Sequence, residues 1–149
     1  MKLSTKGRYG LRAMVDLAVN SSGDHVSLYS IADRQDISEN YLEQVFSILR
    51  KANLVKSVKG AQGGYILSDA PSKTKVGTIL RALEGDLSVA YEDMEDPSLS
   101  HKSIQACIQK NIWDKMNESL NQVVDAITLE DLVNEYKKMN NEDIVMFYI

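Results

Sequence analysis

Two short helical segments joined by a tight turn, with a glycine-rich hairpin directly behind the second, constrain this chain more than any other feature. Ser27 is placed to cap a helix holding Leu28, Ile31 and Ala32, and Asp36-Ile37-Ser38 reads as a turn. Ser38 then caps a further helix from Glu39 to about Ala52. Leu42, Val45, Phe46 and Leu49 recur at helical spacing and predict its buried stripe, while Asn40, Glu43, Gln44, Ser47 and Arg50 fall on the opposite, polar face. The pair predicts a helix-turn-helix over about 28–51. Any helical hairpin has one wet face, so the following residues decide. Leu54-Val55-Lys56-Ser57-Val58 alternates as a strand does, as does Tyr65-Ile66-Leu67, with Lys59-Gly60-Ala61-Gln62-Gly63-Gly64 between them. Gly60, Gly63 and Gly64 permit positive φ angles and close approach to a phosphate. A hairpin over about 54–67 in this position is the wing of a winged helix. The alternative, an ordinary hairpin turn, needs only one or two glycines.

Ahead of this motif, Ser4 can cap a helix running to about Asn20, with Leu11, Met14, Val15 and Ala18 on one face. Ser21-Ser22-Gly23-Asp24 ends it, and His25-Val26 is extended. Behind the motif, Pro71 and Ser-Lys-Thr-Lys mark a joint, and a short helix from about Val76 to Leu83 stops at Gly85. Residues 86–100 hold five acids, Pro97 and three serines without periodicity, which predicts a loop. From about Lys102 to Ala126 a long helix is expected. Ile104, Ile108, Ile112, Met116, Leu120, Val124 and Ile127 form a narrow seam along it, helped by Cys107, Trp113 and Val123. Such a helix is roughly 37 Å long, too long to bury its seam on so small a domain. Pairing with a second copy of the chain is the expectation, and a monomeric core helix is the alternative. Thr128 and Asp131 predict the capped start of a last helix, Leu129 to about Met139, followed by an apolar tail at 141–149. The expected fold is therefore mainly α with a small β-hairpin. It comprises a winged helix-turn-helix at 1–75, dimerisation helices at 76–140 and the tail.

Composition matters chiefly through charge. The net charge of -4 is wrong for a nucleic-acid binder only as an average. Residues 1–75 carry 11 Lys and Arg against 7 Asp and Glu, a net +4, and residues 76–149 carry 6 against 14, a net -8. A basic half joined to an acidic half suits a chain that meets phosphates with one end, though chance segregation of solvated charges gives the same numbers. Hydrophobic residues at 44% suffice for a core. There is no membrane-spanning run and no signal-peptide pattern, so no membrane association is expected. Cys107 stands alone, which excludes an intrachain disulfide and points to a reducing cytoplasm. Its place on the seam predicts a buried packing residue. His25, His101 and Cys107 are the only candidates for nucleophile-and-base chemistry, and no orienting third group accompanies them. No enzyme and no metal site is expected.

The opening Met1-Lys2-Leu3-Ser4-Thr5-Lys6-Gly7-Arg8-Tyr9-Gly10, then Ser38 with Tyr41-Leu42-Glu43-Gln44, then Leu54 to Gly60 with Gly63-Gly64-Tyr65 resemble the Rrf2 family of bacterial regulators. The likeness runs from residue 1 to Thr128-Leu129-Glu130-Asp131-Leu132. It implies a homodimer on an operator in double-stranded DNA, with the third helix in the major groove and the wing at the neighbouring minor groove. Carried over by position, Ser38, Glu39, Asn40, Tyr41, Glu43, Gln44 and Ser47 would supply recognition-helix contacts. Glu43 suits a cytosine amino group. Ser4, Thr5, Lys6 and Arg8 would meet phosphate, with Lys56, Ser57, Lys59 and Gly60 in the wing. Lys59 stands where relatives often have arginine, which fits a narrow minor groove better. Cluster-binding members carry three cysteines, and only Cys107 is present at those positions, so the resemblance implies no iron–sulfur cluster and no other cofactor. The clusterless subgroup it resembles represses cysteine-metabolism genes and partners cysteine synthase. The tail ending in Tyr148 and Ile149 would then dock in that enzyme, or else pack on its own dimer. Rival readings are a member of the family that senses iron–sulfur, redox or nitrosative state, and an adaptor that does not bind DNA.

Overall fold

The computed structural model describes residues 2–93 and 103–148, the last seven by backbone alone. Their order is α1 (Thr5–Asn20), α2 (Leu28–Gln35), α3 (Glu39–Lys51), β1 (Val55–Val58), β2 (Gly64–Leu67), α4 (Val76–Glu84), α5 (Ile104–Ile108), α6 (Asp114–Ala126) and α7 (Leu129–Tyr148). This is mainly helix with one small antiparallel hairpin, as expected. Serine hydroxyls cap the N-termini of the first three helices: Ser4 accepts from Gly7 N, Ser27 from Ser30 N and Ser38 from Tyr41 N. Each satisfies a backbone donor that the helix itself cannot. Thr128 and Asp131 cap α7 reciprocally, at 2.9 and 3.2 Å.

The core forms where the apolar faces of α1, α2 and α3 meet. Met14, Leu17, Ile31, Leu42, Phe46 and Leu49 are fully buried there. Ile79 and Leu83 of α4 and Leu129 of α7 fill the same cluster, so packing continues without a gap across residue 75. The wing is rooted in it too. The Phe46 and Tyr65 rings lie 4.8 Å apart, and Val26 exchanges two 2.9 Å backbone hydrogen bonds with Tyr65, adding a third extended segment beside the hairpin. A Cβ on Gly64 would collide with the Val26 carbonyl, so only glycine lets the hairpin lie this close to the helices. Of the three wing glycines, Gly60 alone takes a positive φ, 129°.

Two local outcomes differ from the sequence expectation. The last helix runs to Tyr148 rather than Met139, because no glycine or proline interrupts residues 129–149 and the Asn140 side chain bonds to the Tyr136 carbonyl within the helix. The tail is therefore its backbone continuation up to Tyr148, and Ile149 lies outside the described residues. The long helix is interrupted by a π-helical turn, Gln109–Trp113, between α5 and α6. The expected loop is described only to residue 93. That part is irregular yet strapped to the long helix: Asn117 is buried, its Oδ1 accepting from Val89 N at 2.6 Å, and Trp113 Nε1 donates to Glu92 at 3.0 Å.

The expected seam divides in two. Leu120 and Val124 turn toward α4 and join a second cluster with Val76, Leu80 and Leu87. They serve this chain's own core, because α4 supplies an apolar face beside them. Ile104, Ile112 and Met116 are 80%, 46% and 45% exposed, and Ile108 is half-buried. Cys107 is exposed in the single chain, contrary to the expectation of a buried packing residue, because α5 stands clear of the core.

Candidate nucleic-acid interface

On α3, Ser38, Glu39, Asn40, Glu43 and Gln44 are exposed, and Tyr41 and Ser47 are half-buried. The stripe from Leu42 to Leu49 is wholly inside, so burial of one face is what turns this set outward. Glu39 and Glu43 share a shallow groove with Ser57, Lys59 and Gly60 of the wing. Lys56, Ser57, Lys59 and Gly60 are all exposed, and Val58 between them is also 37% exposed. The strand alternation therefore does not produce a buried face at this end of the wing.

The same groove includes Tyr29 in the first turn of α2, 67% exposed, which sequence reasoning did not single out. Its signal was available: Leu28 and Ile31 take the inner face of that helix, leaving an aromatic ring on the outer one beside the Ser27 cap. A phenol hydroxyl there can reach a phosphate or sugar oxygen flanking the groove. His25 ties this region to the wing tip, its Nδ1 lying 2.9 Å from Asp24 and its Nε2 against the Gln62 carbonyl.

Two contacts tie the helix-turn-helix to α1. Tyr41 meets Tyr9 of α1 edge-to-face at 6.2 Å, and Arg12 donates to the Gln35 carbonyl at the end of α2 at 2.6 Å. Beneath them Asp16 is buried and accepts from Arg34, Gln35 and Asn20, with Arg34 Nη2 at 2.8 Å. The hydrogen bonds to Asp16 hold the Arg34 guanidinium even more firmly protonated than usual. This network locks α2 onto α1 just before Asp36, whose left-handed φ of 54° turns the chain into α3.

Thr5, Lys6 and Arg8 are exposed on the first turns of α1. Ser4 is exposed as well, but its backbone N–H and hydroxyl both donate to Glu84 of α4, and so does Gly7 N at 2.9 Å. A carboxylate of the chain itself thus occupies the amides at this helix end. Arg8 and Arg12 lie 5.9 and 5.1 Å from the Tyr9 ring, and neither has a carboxylate partner among the described residues.

A polar, outward-facing second helix flanked by a basic hairpin defines a winged helix-turn-helix, an architecture built to place one helix in the major groove of duplex DNA. A profile of the Rrf2 family, described as an iron-dependent transcriptional regulator, matches residues 3–135, and the chain belongs to that family. It is 41% identical over 150 residues to the transcriptional regulator CymR of Bacillus subtilis strain 168, spanning 100% of both chains. The solved structure of CymR, the global cysteine regulator of B. subtilis, superposes with a TM-score of 0.77 at 42% identity, covering 91% of this chain and 98% of that one. IscR of T. potens follows with a TM-score of 0.73 at 45% identity, covering 93% and 90%. The chain is thus a transcription regulator and not an enzyme.

The iron dependence in the family's description finds no matching donor set among the described residues. Cys107 is the chain's sole cysteine, and its sulfur accepts from the Asn111 side-chain amide at 3.7 Å. Among the described residues no three His, Cys, Asp or Glu side chains converge on a point. One thiolate does not hold an iron–sulfur cluster, which takes four protein ligands in its common forms.

Proposed function

We propose that the chain binds operator DNA as a homodimer and represses genes of cysteine and sulfur metabolism in the cytoplasm, without an iron–sulfur cluster. The observation that carries the reading is the outward face of α3, where Asn40, Glu43 and Gln44 stand uncovered beside the wing groove. Amide and carboxylate groups at successive helical positions can read base edges, with Glu43 accepting from a cytosine amino group. Ser38, Glu39, Tyr41 and Ser47 flank these contacts. Thr5, Lys6, Arg8, Lys56, Ser57, Lys59 and Gly60 take phosphate, and Ser4 helps to place them. Ile104, Ile108, Ile112 and Met116 form the partner-facing part of the seam, because a second chain is the natural cover for apolar side chains left this exposed. The division at residue 75 is then one of role: basic residues ahead of it face DNA, and the apolar seam behind it faces the partner.

The sulfur assignment draws on the likeness to the B. subtilis cysteine regulator. Selecting genomic fragments by electrophoretic shift, with and without cysteine, tests both levels. Binding that falls steeply with salt and favours sites near sulfur genes is expected. Fragments bound without sequence preference would remove the operator reading. Specific sites remote from sulfur genes and indifferent to cysteine would remove only the sulfur assignment. Docking of Tyr148 and Ile149 in cysteine synthase requires the end of α7 to protrude or unwind, since its backbone is helical to Tyr148. A pull-down with a chain lacking both residues decides, and equal retention of the synthase ends the docking idea.

A further inference from the structure

The wing tip, residues 59–63, reaches beyond Val58 and Gly64, the last paired residues of the hairpin. Within the tip, Gly63 N donates to the Gly60 carbonyl at 3.1 Å. Among the described residues, one side chain from elsewhere hydrogen-bonds to the tip: His25, whose Nε2 lies against the Gln62 carbonyl. His25 stands in the turn between α1 and α2, and that turn is itself held. Asp24 Oδ1 accepts the His25 backbone N–H at 2.7 Å, and Ser21 Oγ donates to the Asp24 carbonyl at 2.9 Å. The next residue, Val26, is the one that pairs with Tyr65. The turn therefore braces the hairpin at two heights, at its root through Val26 and at its tip through His25. Unlike the backbone pairing at the root, the brace at the tip depends on a proton. Nδ1 of the ring lies 2.9 Å from Asp24 Oδ1 while Nε2 meets the carbonyl, so both nitrogens face acceptors. A neutral imidazole carries one N–H and turns a lone pair toward one of the two oxygens, whereas an imidazolium donates to both. Asp24 is the only charged side chain within ion-pair distance of the ring among the described residues of α1, α2, their turn and the hairpin. Lys59, the cation of the tip, makes no ion pair among them.

We propose that His25 is a positioning residue for operator binding: its ring holds the wing tip, with Lys59 and Gly60, against the turn ahead of α2, and holds it most firmly when protonated. As pH rises through the range of imidazole titration, the ring loses a proton and with it one of its two contacts. The charged acceptor makes the stronger hydrogen bond, so Asp24 keeps the Nδ1 proton and Nε2 ceases to donate. The tip is what is released. A released tip has to be ordered again when DNA binds, and that lowers affinity. The effect on DNA rests on the operator reading; the brace itself does not.

The full-length protein, His25→Gln and His25→Ala are compared between about pH 5 and 8, the range in which an imidazole changes charge. A glutamine amide can donate to the same carbonyl and does not titrate there. In the DNA-free protein, the backbone amides of Gly60, Ala61, Gln62 and Gly63 should titrate in the parent and stay flat in both variants. Parent affinity for a selected operator should fall about threefold per wing as pH rises, and so about tenfold for a dimer with two wings, the worth of one ordinary hydrogen bond each. His25→Gln should lack this part of the pH dependence. His25→Ala should bind as weakly at the acid end as the parent does at the alkaline end. Equal pH profiles for the parent and His25→Gln overturn the proposal, and so do tip amides in the free parent that ignore pH. If the protonated ring acted only as one more charge facing phosphate, the parent's salt slope would change with pH while the free tip did not respond, and positioning would be overturned. Failure of all three chains to bind any operator at any pH strikes the DNA reading instead, and the free-protein titration still judges the brace.

Discussion

The carboxylate of Glu84, in the last turn of α4, accepts the Gly7 backbone N–H at 2.9 Å in the first turn of α1. Glu84 also receives the Ser4 N–H at 3.1 Å and the Ser4 hydroxyl, so one side chain gathers three donors at a helix end. A negative group there also meets the favourable end of the helix dipole. Any Cβ on Gly7 would collide with this carboxylate, so glycine at position 7 is a condition of the contact.

Glu84→Ala should therefore cost about 1–2 kcal/mol in urea unfolding, the usual worth of a helix cap. The same change removes a negative charge beside the proposed phosphate contacts, so operator affinity at low salt should rise even as stability falls. Gly7→Ala displaces only the flexible end of Glu84 and gains helix propensity, so it should destabilise less than Glu84→Ala and gain no affinity. If the Glu84→Ala chain proved as stable as the parent, water would replace the cap at no cost.

Asp16→Ala strands the Arg34 guanidinium and leaves the Gln35 and Asn20 amides without their acceptor. Arg34 is partly open to solvent, which softens the penalty of an unpaired buried charge to about 2–3 kcal/mol. Asp16→Asn, which keeps the shape, should lose less. Because this network anchors α2 ahead of the turn into α3, operator affinity should fall for the alanine variant even well below its melting temperature. Full affinity in the folded variant would show that α3 is held without it.

Arg81 donates to the Asp125 carboxylate at 2.7 and 2.9 Å and holds its pKa below the ordinary value of 3.8. The unfolded chain then binds that proton more tightly than the folded one. The stabilisation is complete above the ordinary carboxylate range and is lost as acid protonates Asp125 in the folded state. Unfolding free energies of the parent chain and Asp125→Asn should differ at neutral pH and converge in acid. Parallel curves would remove this pair from the acid response.

Ile112→Asp and Met116→Lys place charge on side chains already 46% and 45% exposed in the single chain. Sedimentation should show monomers that retain their helical content. Val124→Asp, by contrast, puts a charge at a position 8% exposed beside Leu80 and should destabilise the fold by several kcal/mol. A dimer unaffected by the first two changes would place the interface elsewhere.

Glu43→Ala should relax operator preference at one base pair, by about 1–3 kcal/mol of discrimination, while leaving the salt dependence unchanged. Lys59→Ala should weaken all sequences alike and reduce the salt slope by about one. Competition between selected and scrambled operators at several salt concentrations separates the two. A salt slope altered by Glu43→Ala would mean that its role is electrostatic.

What the sequence determined by itself was local and periodic. Spacing of Leu42, Val45, Phe46 and Leu49 sets which face of α3 is buried, serine hydroxyls mark the helix starts, and Gly60 with Gly64 marks the hairpin. These signals act over a few residues, so they are readable without knowing what lies across the core. Only tertiary structure decided the rest. Val124 and Ile112 sit on the same predicted seam, yet one packs under α4 and the other stays open, because the burial of an apolar side chain depends on which distant element reaches it. The same holds for Glu84 at the start of α1 and for Tyr29 in the wing groove, whose neighbours lie far away along the chain. Helical spacing tells which side chains share a face; the packing of the whole chain settles what that face meets.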